Sequence, residues 1–500
     1  MIAQALMNIL NPTCLLLICL GVCVGIIFGS IPGLSATMAV VLLLPLSFGL
    51  EPANGISLLI GLYMGGISGG LISAILLKIP GTPSSIATVL DGGPMADKGE
   101  AGKALGAGIL YSAIGSLISI VALIYISPYL AALTLKFTPV EYFAIAIFSL
   151  SIIASLSGDS LVKGLLAGLL GIGFSLVGMA PIDAISRFTF GSFELMGGFN
   201  IIVLLVGVFA VTDIIMAGLG RKHLDDAYQK KPYHLKGFGV TLREFKEQFG
   251  NMIRSSLIGI GIGILPGIGG NVAGLLSYTA TKNASKYPEK FGTGIVDGVI
   301  ASETSNNAVI GGSLIPLLTM GIPGNTVAAV LLGGLTIHGI NPGPLIFQKS
   351  GVYVYGIFFA LIVATLAMLV FERGALPIFV KLLDVPKHIL LPIVMVCCAV
   401  GAFSSSSRVF DIWCILGFGF LGVVMKYFKI PSTPLIIGFI LGPMTEENLR
   451  RALQASAGKI SVFFTRPISL GFLVAGFLFV AYILYNKYKN NGENTLGEKE

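Results

Sequence analysis

Long apolar runs separated by short polar breaks fill almost all of this 500-residue chain. They lie at roughly 9–28, 36–50, 56–79, 105–126, 140–156, 162–177 and 198–219, and again at 252–265, 271–281, 293–320, 325–337, 353–371, 388–403, 410–425 and 467–486. A helix needs about 20 residues to cross a bilayer, so the shorter runs predict halves of broken helices or arms of re-entrant hairpins. The expected fold class is an all-α polytopic membrane protein. The most polar stretch, 221–250, carries Arg221, Lys222, Lys230, Lys231, Lys236, Arg243 and Lys246 and divides the chain nearly in half. Lys and Arg concentrate in cytoplasmic loops, which places this linker inside; residues 1–77 contain neither, which favours an outer N-terminus. The expected organisation is a first membrane repeat over 1–220, a cytoplasmic linker over 221–250, a second membrane repeat over 251–487 and a polar tail over 488–500.

The two halves repeat one another. Gly29-Ser30-Ile31-Pro32-Gly33-Leu34 answers Gly263-Ile264-Leu265-Pro266-Gly267-Ile268, and Gly69-Gly70 with Ile79-Pro80-Gly81-Thr82 answers Gly311-Gly312 with Ile322-Pro323-Gly324-Asn325. Further on, Pro139 and a polar break at 155–159 answer Pro386 and a break at 404–408. Offsets of 234, 242, 243 and 247 residues for Pro32, Gly70, Pro80 and Pro139 rise slowly, as small loop insertions would make them. Two related halves enclosing a midplane site of broken helices are a signature of secondary transporters. Inverted repeats are expected, because an outer N-terminus and an inner linker require an odd number of crossings per half.

Composition agrees with this class. Hydrophobic residues make up 55% and charged ones 11%, against about 45–50% and about 25% in soluble domains. The net charge of +7 is spread over short loops, so it reads as topology and not as a nucleic-acid surface. The 66 glycines and 24 prolines sit inside apolar runs and place backbone breaks at membrane depth. Cys14, Cys19, Cys23, Cys397, Cys398 and Cys414 lie in apolar stretches and are expected to pack as small hydrophobes, with neither disulfides nor a metal site. No basic residue precedes Lys78, so the run at 15–28 lacks the charged start of a secretory signal and is expected to stay as a membrane segment.

The candidate chemistry lies at the breaks. Proline lacks a backbone donor and clashes with the preceding helical turn, while glycine admits unusual angles, so Pro32-Gly33, Pro80-Gly81, Pro266-Gly267 and Pro323-Gly324 each end a helix. The freed N–H and C=O groups must be buried against protein or line a wet cavity, where helix N-termini hold anions and carbonyls hold cations. Small polar side chains follow each break: Ser35 and Thr37, then Thr82, Ser84 and Ser85, then Asn271, then Asn325 and Thr326. These are the expected substrate contacts. Any one could instead pack helices, but their clustering at broken ends favours a ligand.

Glu303, Asn306 and Asn307, within the polar stretch 302–307, are expected to hold a coupling ion, sodium or a proton, through oxygen atoms. No other cofactor or metal is expected. Lys78 either attracts an anion or extends to the interface. The stretch from Asp91 to Gly99 reads as a polar surface loop because of its Gly and Pro content. No Gly-Lys-Ser/Thr ending appears, which argues against ATP hydrolysis. His338 and His388 have no second metal-type ligand nearby and read as structural.

These motifs resemble the large transmembrane subunit of tripartite tricarboxylate transporters. The resemblance rests on 29–34, on Ala74-Ile-Leu-Leu-Lys-Ile-Pro-Gly-Thr-Pro83, on Asp91-Gly-Gly-Pro-Met-Ala96, Gly99 and Ala101-Gly-Lys-Ala-Leu-Gly106, on Lys286-Tyr-Pro-Glu-Lys-Phe-Gly292, on Asn306-Asn307, on Gly321-Ile-Pro-Gly324 and on His338-Gly-Ile-Asn-Pro-Gly-Pro344. It implies a secondary transporter in the bacterial inner (cytoplasmic) membrane, importing a tricarboxylate or related organic carboxylate by alternating access with cation symport. The implied partners are a small four-helix membrane subunit and a periplasmic solute-binding protein. Lys78 departs from the pattern, where a small or amide residue is more usual. The alternatives are a channel, which would need a continuous polar pore, or a carboxylate transporter working without a binding protein. An enzyme is not expected, since no nucleophile–base pair or metal cluster is visible.

Overall fold

The computed structural model describes residues 1–500 except 32–33, 152–159, 184, 220–238, 266–268, 383–395, 397–407 and 498–500. Pro32, Gly33, Pro266, Gly267, Pro386 and His388, the breaks expected at 155–159 and 404–407, Cys397 and Cys398 therefore lie outside the described residues, as does most of the expected linker. The protein is helical almost throughout. Its first half runs α1 (Ile2–Ile9), α2 (Pro12–Ser30), α3 (Ala36–Ser47), α4 (Pro52–Leu76), a short 3-10 turn (Pro83–Ser85), α5 (Ile86–Asp97), α6 (Ala101–Thr134), α7 (Pro139–Ser151) and α8 (Leu161–Ser175). A two-stranded hairpin, β1 (Gly178–Met179) with β2 (Ser186–Arg187), leads to α9 (Ile201–Leu205), a π turn (Val206–Val211) and α10 (Thr212–Leu219).

The second half runs α11 (Leu242–Glu247), α12 (Phe249–Ile264), α13 (Gly269–Ala284), α14 (Val296–Met320), α15 (Thr326–Ile337), α16 (Ile346–Lys349), α17 (Gly351–Gly374) and α18 (Leu376–Leu382). It closes with α19 (Val409–Tyr427), α20 (Ser432–Ala455), α21 (Val462–Thr465) and α22 (Pro467–Gly497). Among the described residues, six helices are long and apolar enough to cross a membrane: α2, α4, α6, α17, α19 and the Pro467–Tyr485 part of α22. Shorter apolar helices such as α3, α12 and α15 fit the expectation of half-spans. The sequence reading passed over α20, whose polar second half (Glu446, Glu447, Arg450, Arg451) masks the apolar first half.

The chain divides into two compact units, Met1–Thr134 with Leu205–Phe420, and Leu135–Leu204 with Leu421–Glu500. Each draws on both halves of the sequence, so compactness does not follow the division at the linker. In the first unit, α2 and α4 cross so closely that a side-chain carbon at Gly25 would lie 2.6 Å from the Leu62 carbonyl oxygen, and one at Gly69 would lie 2.5 Å from that of Ile26. Small residues let backbones approach in a bilayer, where dispersion replaces the hydrophobic effect as the force between helices. The pair α12/α14 repeats this crossing: Gly259 abuts the Ser305 carbonyl, Gly263 that of Val309 and Gly312 that of Ile260. Gly81 meets Gly29 as Gly324 meets Gly263.

These contacts superimpose when α2 is shifted by 234 residues and α4, through Gly81, by 243. The duplication is thus written in the packing. The register of α4 against α14 differs by one residue from the Gly-Gly alignment, because backbone contact pairs Gly69 with Gly312 and Gly70 with Ser313. Contacts between the halves are reciprocal: α5 packs on α13 and α14, while its counterpart α15 packs on α3 and α4.

The stretch from Asp91 to Gly99 requires a correction. Residues through Asp97 belong to α5, and the Asp91 side chain is fully buried. Its glycines serve close packing: a side-chain carbon at Gly92 would lie 2.7 Å from Ile75 Cγ1, and one at Gly93 would lie 2.9 Å from Lys78 Cγ. Asp91 Oδ1 accepts hydrogen bonds from the backbone N–H groups of Gly292 (2.9 Å), Gly294 (2.8 Å) and Ile295 (3.1 Å), tying α5 to the segment that leads into α14. Lys78 adopts a left-handed backbone (φ 56°), a conformation easier for glycine or an amide residue. Its Nζ pairs with Asp97 Oδ2 at 2.5 Å on a half-exposed surface.

Candidate functional site

The breaks position polar groups in two clusters inside the first unit. At the second break, Thr82 Oγ1 shares hydrogen bonds with Ser84 Oγ (3.0 Å) and Ser85 Oγ (2.8 Å), and all three side chains are buried. At the fourth, Asn325 caps α15: its Oδ1 accepts from the Ala328 N–H at 2.8 Å and its Nδ2 donates to Tyr63 Oη at 2.6 Å. Tyr63 in turn shares a hydrogen bond with Ser313 Oγ at 2.9 Å. At the third, Gly269 opens α13 with φ 78°, a left-handed angle that only glycine adopts without cost.

The residues that follow these three breaks converge. A side-chain carbon at Gly269 would lie 3.4 Å from Asn271 Oδ1 and 3.9 Å from Asn325 Cβ. One at Gly270 would lie 2.6 Å from Asn306 Oδ1 and 3.0 Å from Ser84 Cβ. Asn306, from the middle of α14, is 1% exposed, and neither its Oδ1 nor its Nδ2 has a hydrogen-bond partner. A buried amide with both ends open costs about 1–3 kcal/mol per unmet group, so it marks a place for a ligand that brings both an acceptor and a donor. The N-termini of α13 and α15 add positive partial charge there, while Tyr63, Thr82, Ser84, Asn271, Asn306 and Asn325 carry no formal charge. Ser35 caps α3, accepting from the Met38 N–H at 3.1 Å, and Thr37 is buried, yet no hydrogen bond among the described residues joins either to the Asn306 group. Thr326 is half-buried in the first turn of α15.

Glu303 belongs to the second cluster. Its carboxyl is fully buried and accepts hydrogen bonds from Thr88 Oγ1 of α5 and from Ser112 Oγ of α6, the latter at 3.2 Å. Asn307 Nδ2 donates to Ser112 Oγ (2.8 Å) and to Glu303 Oε2 (3.4 Å), and Asn307 Oδ1 has no partner. The spacing of four residues stacks Glu303 and Asn307 on one helix face, and the neighbouring Asn306 amide also interacts with the Glu303 carboxyl, although it makes no hydrogen bond of full geometry. The expected trio lies around one carboxyl, with Asn307 bonded to it directly and Asn306 interacting more weakly while also facing Gly270 and Ser84. The arrangement is an all-oxygen set of carboxyl, hydroxyl and amide carbonyl, suited to a small hard cation.

The sequence reading also passed over Glu372, which is fully buried near the end of α17, where it accepts from Ser68 Oγ of α4 at 2.9 Å. Its place next to Arg373 at the end of an apolar run gives it no distinctive signal in the sequence. Tyr63, Thr88 and Ser112 were hidden because single hydroxyls in apolar helices carry no distinctive pattern. His338 Nε2 shares a hydrogen bond with Ser47 Oγ at 3.2 Å, in keeping with a structural role.

Residues 15–437 match the model of the family described as tripartite tricarboxylate transporter TctA. One relative, an uncharacterized 52.8 kDa protein in the TAR-I ttuC' 3' region of Agrobacterium vitis, is 34% identical over 482 residues, covering 96% of this chain and 95% of the relative. Another, an uncharacterized protein in the TAR-II ttuC' 3' region of the same organism, is 34% identical over 239 residues, covering 48% of this chain and 99% of that relative. No solved structure matches the chain.

Proposed function

The chain belongs to the tripartite tricarboxylate transporter TctA family, the large, multi-pass membrane subunits of such transporters, and from this premise we propose that it imports an organic carboxylate by alternating access at the convergence of its second, third and fourth breaks. The observation that carries this reading is the fully buried, unpartnered amide of Asn306 facing Gly270 and Ser84. A carboxylate there accepts from Asn306 Nδ2 and from the N–H groups opening α13 and α15, and a hydroxyl or protonated carboxyl on the same molecule donates to Asn306 Oδ1. The reciprocal packing of α5 and α15 supports an inverted pair of repeats, whose exchange of conformations would open the site to each side in turn. The site lies in a bacterial inner membrane and receives substrate from an extracytoplasmic binding protein, with a small membrane subunit beside it.

Sodium is the coupling ion in this reading, held by Glu303, Asn307 and the hydroxyls of Thr88 and Ser112, while Asn306 serves the substrate. The test is uptake of labelled carboxylates into proteoliposomes holding all three subunits, with sodium and pH gradients imposed separately. Asn306→Leu should lower uptake about 100-fold while leaving the sodium requirement of the remaining flux unchanged. Asn307→Ala should raise the sodium concentration needed for half-maximal uptake, and Glu303→Gln should retain partial activity. Uptake that ignores sodium, follows the pH gradient and vanishes in Glu303→Gln would make Glu303 a proton carrier instead. Full uptake without the binding protein would remove that partner, and flux that never saturates or accumulates would indicate a channel. Wild-type uptake by Thr82→Leu and Asn325→Leu would take the breaks out of the substrate path.

A further inference from the structure

The second unit carries a feature that transport chemistry does not use. Between α8 and α9 the chain forms the β1/β2 hairpin and a following segment in which Phe188, Phe190 and Phe193 are 58%, 87% and 84% exposed. Phe188 and Phe190 both adopt left-handed backbone angles, φ 51° and 48°. Bulky residues avoid this region because the side chain crowds the backbone, so two such residues in three positions mark a strained tip whose rings are exposed.

The base under this tip is firmly held. Gly178 of β1 comes so close to Gly198 that a side-chain carbon would lie 2.8 Å from its backbone nitrogen, and the rings of Phe174 and Phe199 meet edge to face at 5.9 Å. Every ionic group of the hairpin arms is turned toward α20: Arg187 pairs with Glu446 at 2.5 Å, and Asp183 pairs with Arg450 at 3.0 Å. The Arg187–Glu446 pair is largely buried against α20 while Asp183 and Glu194 stay exposed, so the outward face mixes aromatic rings with acidic groups, as a boundary between lipid and water does.

Its location identifies what covers it. One face of α8, with Gly164, Ala167, Gly168 and Gly171, is buried, and α20 packs on this helix so closely that Gly438 abuts the Gly168 carbonyl. The opposite face exposes Val162, Leu165, Leu166, Leu169 and Leu170, and in an apolar helix of a membrane protein that face meets lipid. The hairpin continues directly from the end of this lipid-facing helix, at the depth where apolar chains give way to headgroups. Aromatic rings collect in that layer because a flat, polarisable body suits the boundary between hydrocarbon and water.

We propose that the segment 188–193 is an interfacial membrane anchor, with Phe188, Phe190 and Phe193 seated among phospholipid headgroups. The chain has one tryptophan, the exposed Trp413, which allows a direct test. Phe190→Trp in a Trp413→Phe background, and separately Phe193→Trp, would be reconstituted in phosphatidylcholine vesicles containing lipid brominated either near the headgroup or near the chain end. Lipid brominated near the headgroup should remove most of the emission, the chain-end label much less, and acrylamide in the water should quench only weakly. Strong acrylamide quenching with no effect of either brominated lipid, in both variants, would overturn the anchor. Shielding that arises only when a soluble binding protein is added would do the same and assign the tip to a protein partner. A Phe190→Gly variant relieves the left-handed strain and should melt at a higher temperature in detergent micelles; a lower one would mean that the ring packs within the protein.

Discussion

The α2/α4 crossing and the α12/α14 crossing are two copies of one scaffold that carry different chemistry. Backbone meets backbone at equivalent glycines in both, yet α4 presents Tyr63 where α14 presents Asn306. Tyr63 reaches across to Asn325, in the other half, and is satisfied by it and by Ser313. Asn306 faces Ser84, again in the other half, and makes no hydrogen bond. Duplication preserved the close contacts, which tolerate no added atom, and left the facing side chains free to specialise, one as a brace and the other as an open amide.

Overfilling the shared scaffold should have the largest effect. Gly29→Leu and Gly263→Leu each drive a side chain into an opposing backbone, at about 3 kcal/mol or more, and both should lose monodisperse protein in detergent; a well-folded Gly263→Leu would show that the two crossings are not equivalent. The facing positions should then separate. Asn306→Leu is expected to lower uptake about 100-fold, the factor that corresponds to losing about 3 kcal/mol of hydrogen bonding to a charged group, with an unchanged or raised melting temperature. Tyr63→Phe strands the Asn325 Nδ2 group and should lower stability by about 1 kcal/mol with little change in uptake; the reverse outcome would exchange their roles.

A further variant probes a set of hydrogen bonds without a repeat partner. With the offset of α4, Asp91 corresponds to Gly334, so its bonds to Gly292, Gly294 and Ile295 exist once only. Asp91→Ala should cost about 2 kcal/mol through the stranded backbone donors, seen as a lower melting temperature, whereas Gly334 is already bare and has no such bond to lose. The smallest effect concerns the surface outside the bilayer. Lys103 donates to Glu244 Oε1 at 2.6 Å, and Thr241 donates to Glu244 Oε2 through backbone N–H and hydroxyl, which together hold the Glu244 carboxyl down to about 2. Because the folded value lies below the ordinary 4.5, this contribution is fully present above about pH 4.5 and is lost as pH falls toward 2. The site is largely solvated, so Glu244→Gln should flatten the acid limb of a melting-temperature profile only slightly.

The helical class, the half-length spans and the duplication were legible because apolar run length and Pro-Gly punctuation are local signals with a large energetic basis. Asn306 and Glu303 were legible as candidates because polar groups are expensive at membrane depth. That Asn306 also faces Gly270 and Ser84 was not, since it depends on which neighbour each helix face meets. Asp91 was misread because Gly92, Gly93 and Pro94 carry turn chemistry in isolation, while here the glycines admit Ile75 and Lys78 and the proline sits within α5. Glu372 and α20 were missed for a shared reason: a charge near the end of an apolar segment looks like an exit to water, and only the packed neighbours show otherwise.

The interleaving of the two compact units bears on how the chain is made. Leu135–Leu204 leaves the ribosome well before Leu421–Glu500, with which it forms one unit, so α8 meets its partner α20 only after more than 200 further residues have been synthesised. Until then the glycine face of α8 has only lipid against it, and insertion must finish before that unit can assemble. A nonsense codon after residue 420 would leave the first unit complete in sequence and strand 135–204 as an unpaired membrane segment, a natural target for quality-control proteolysis.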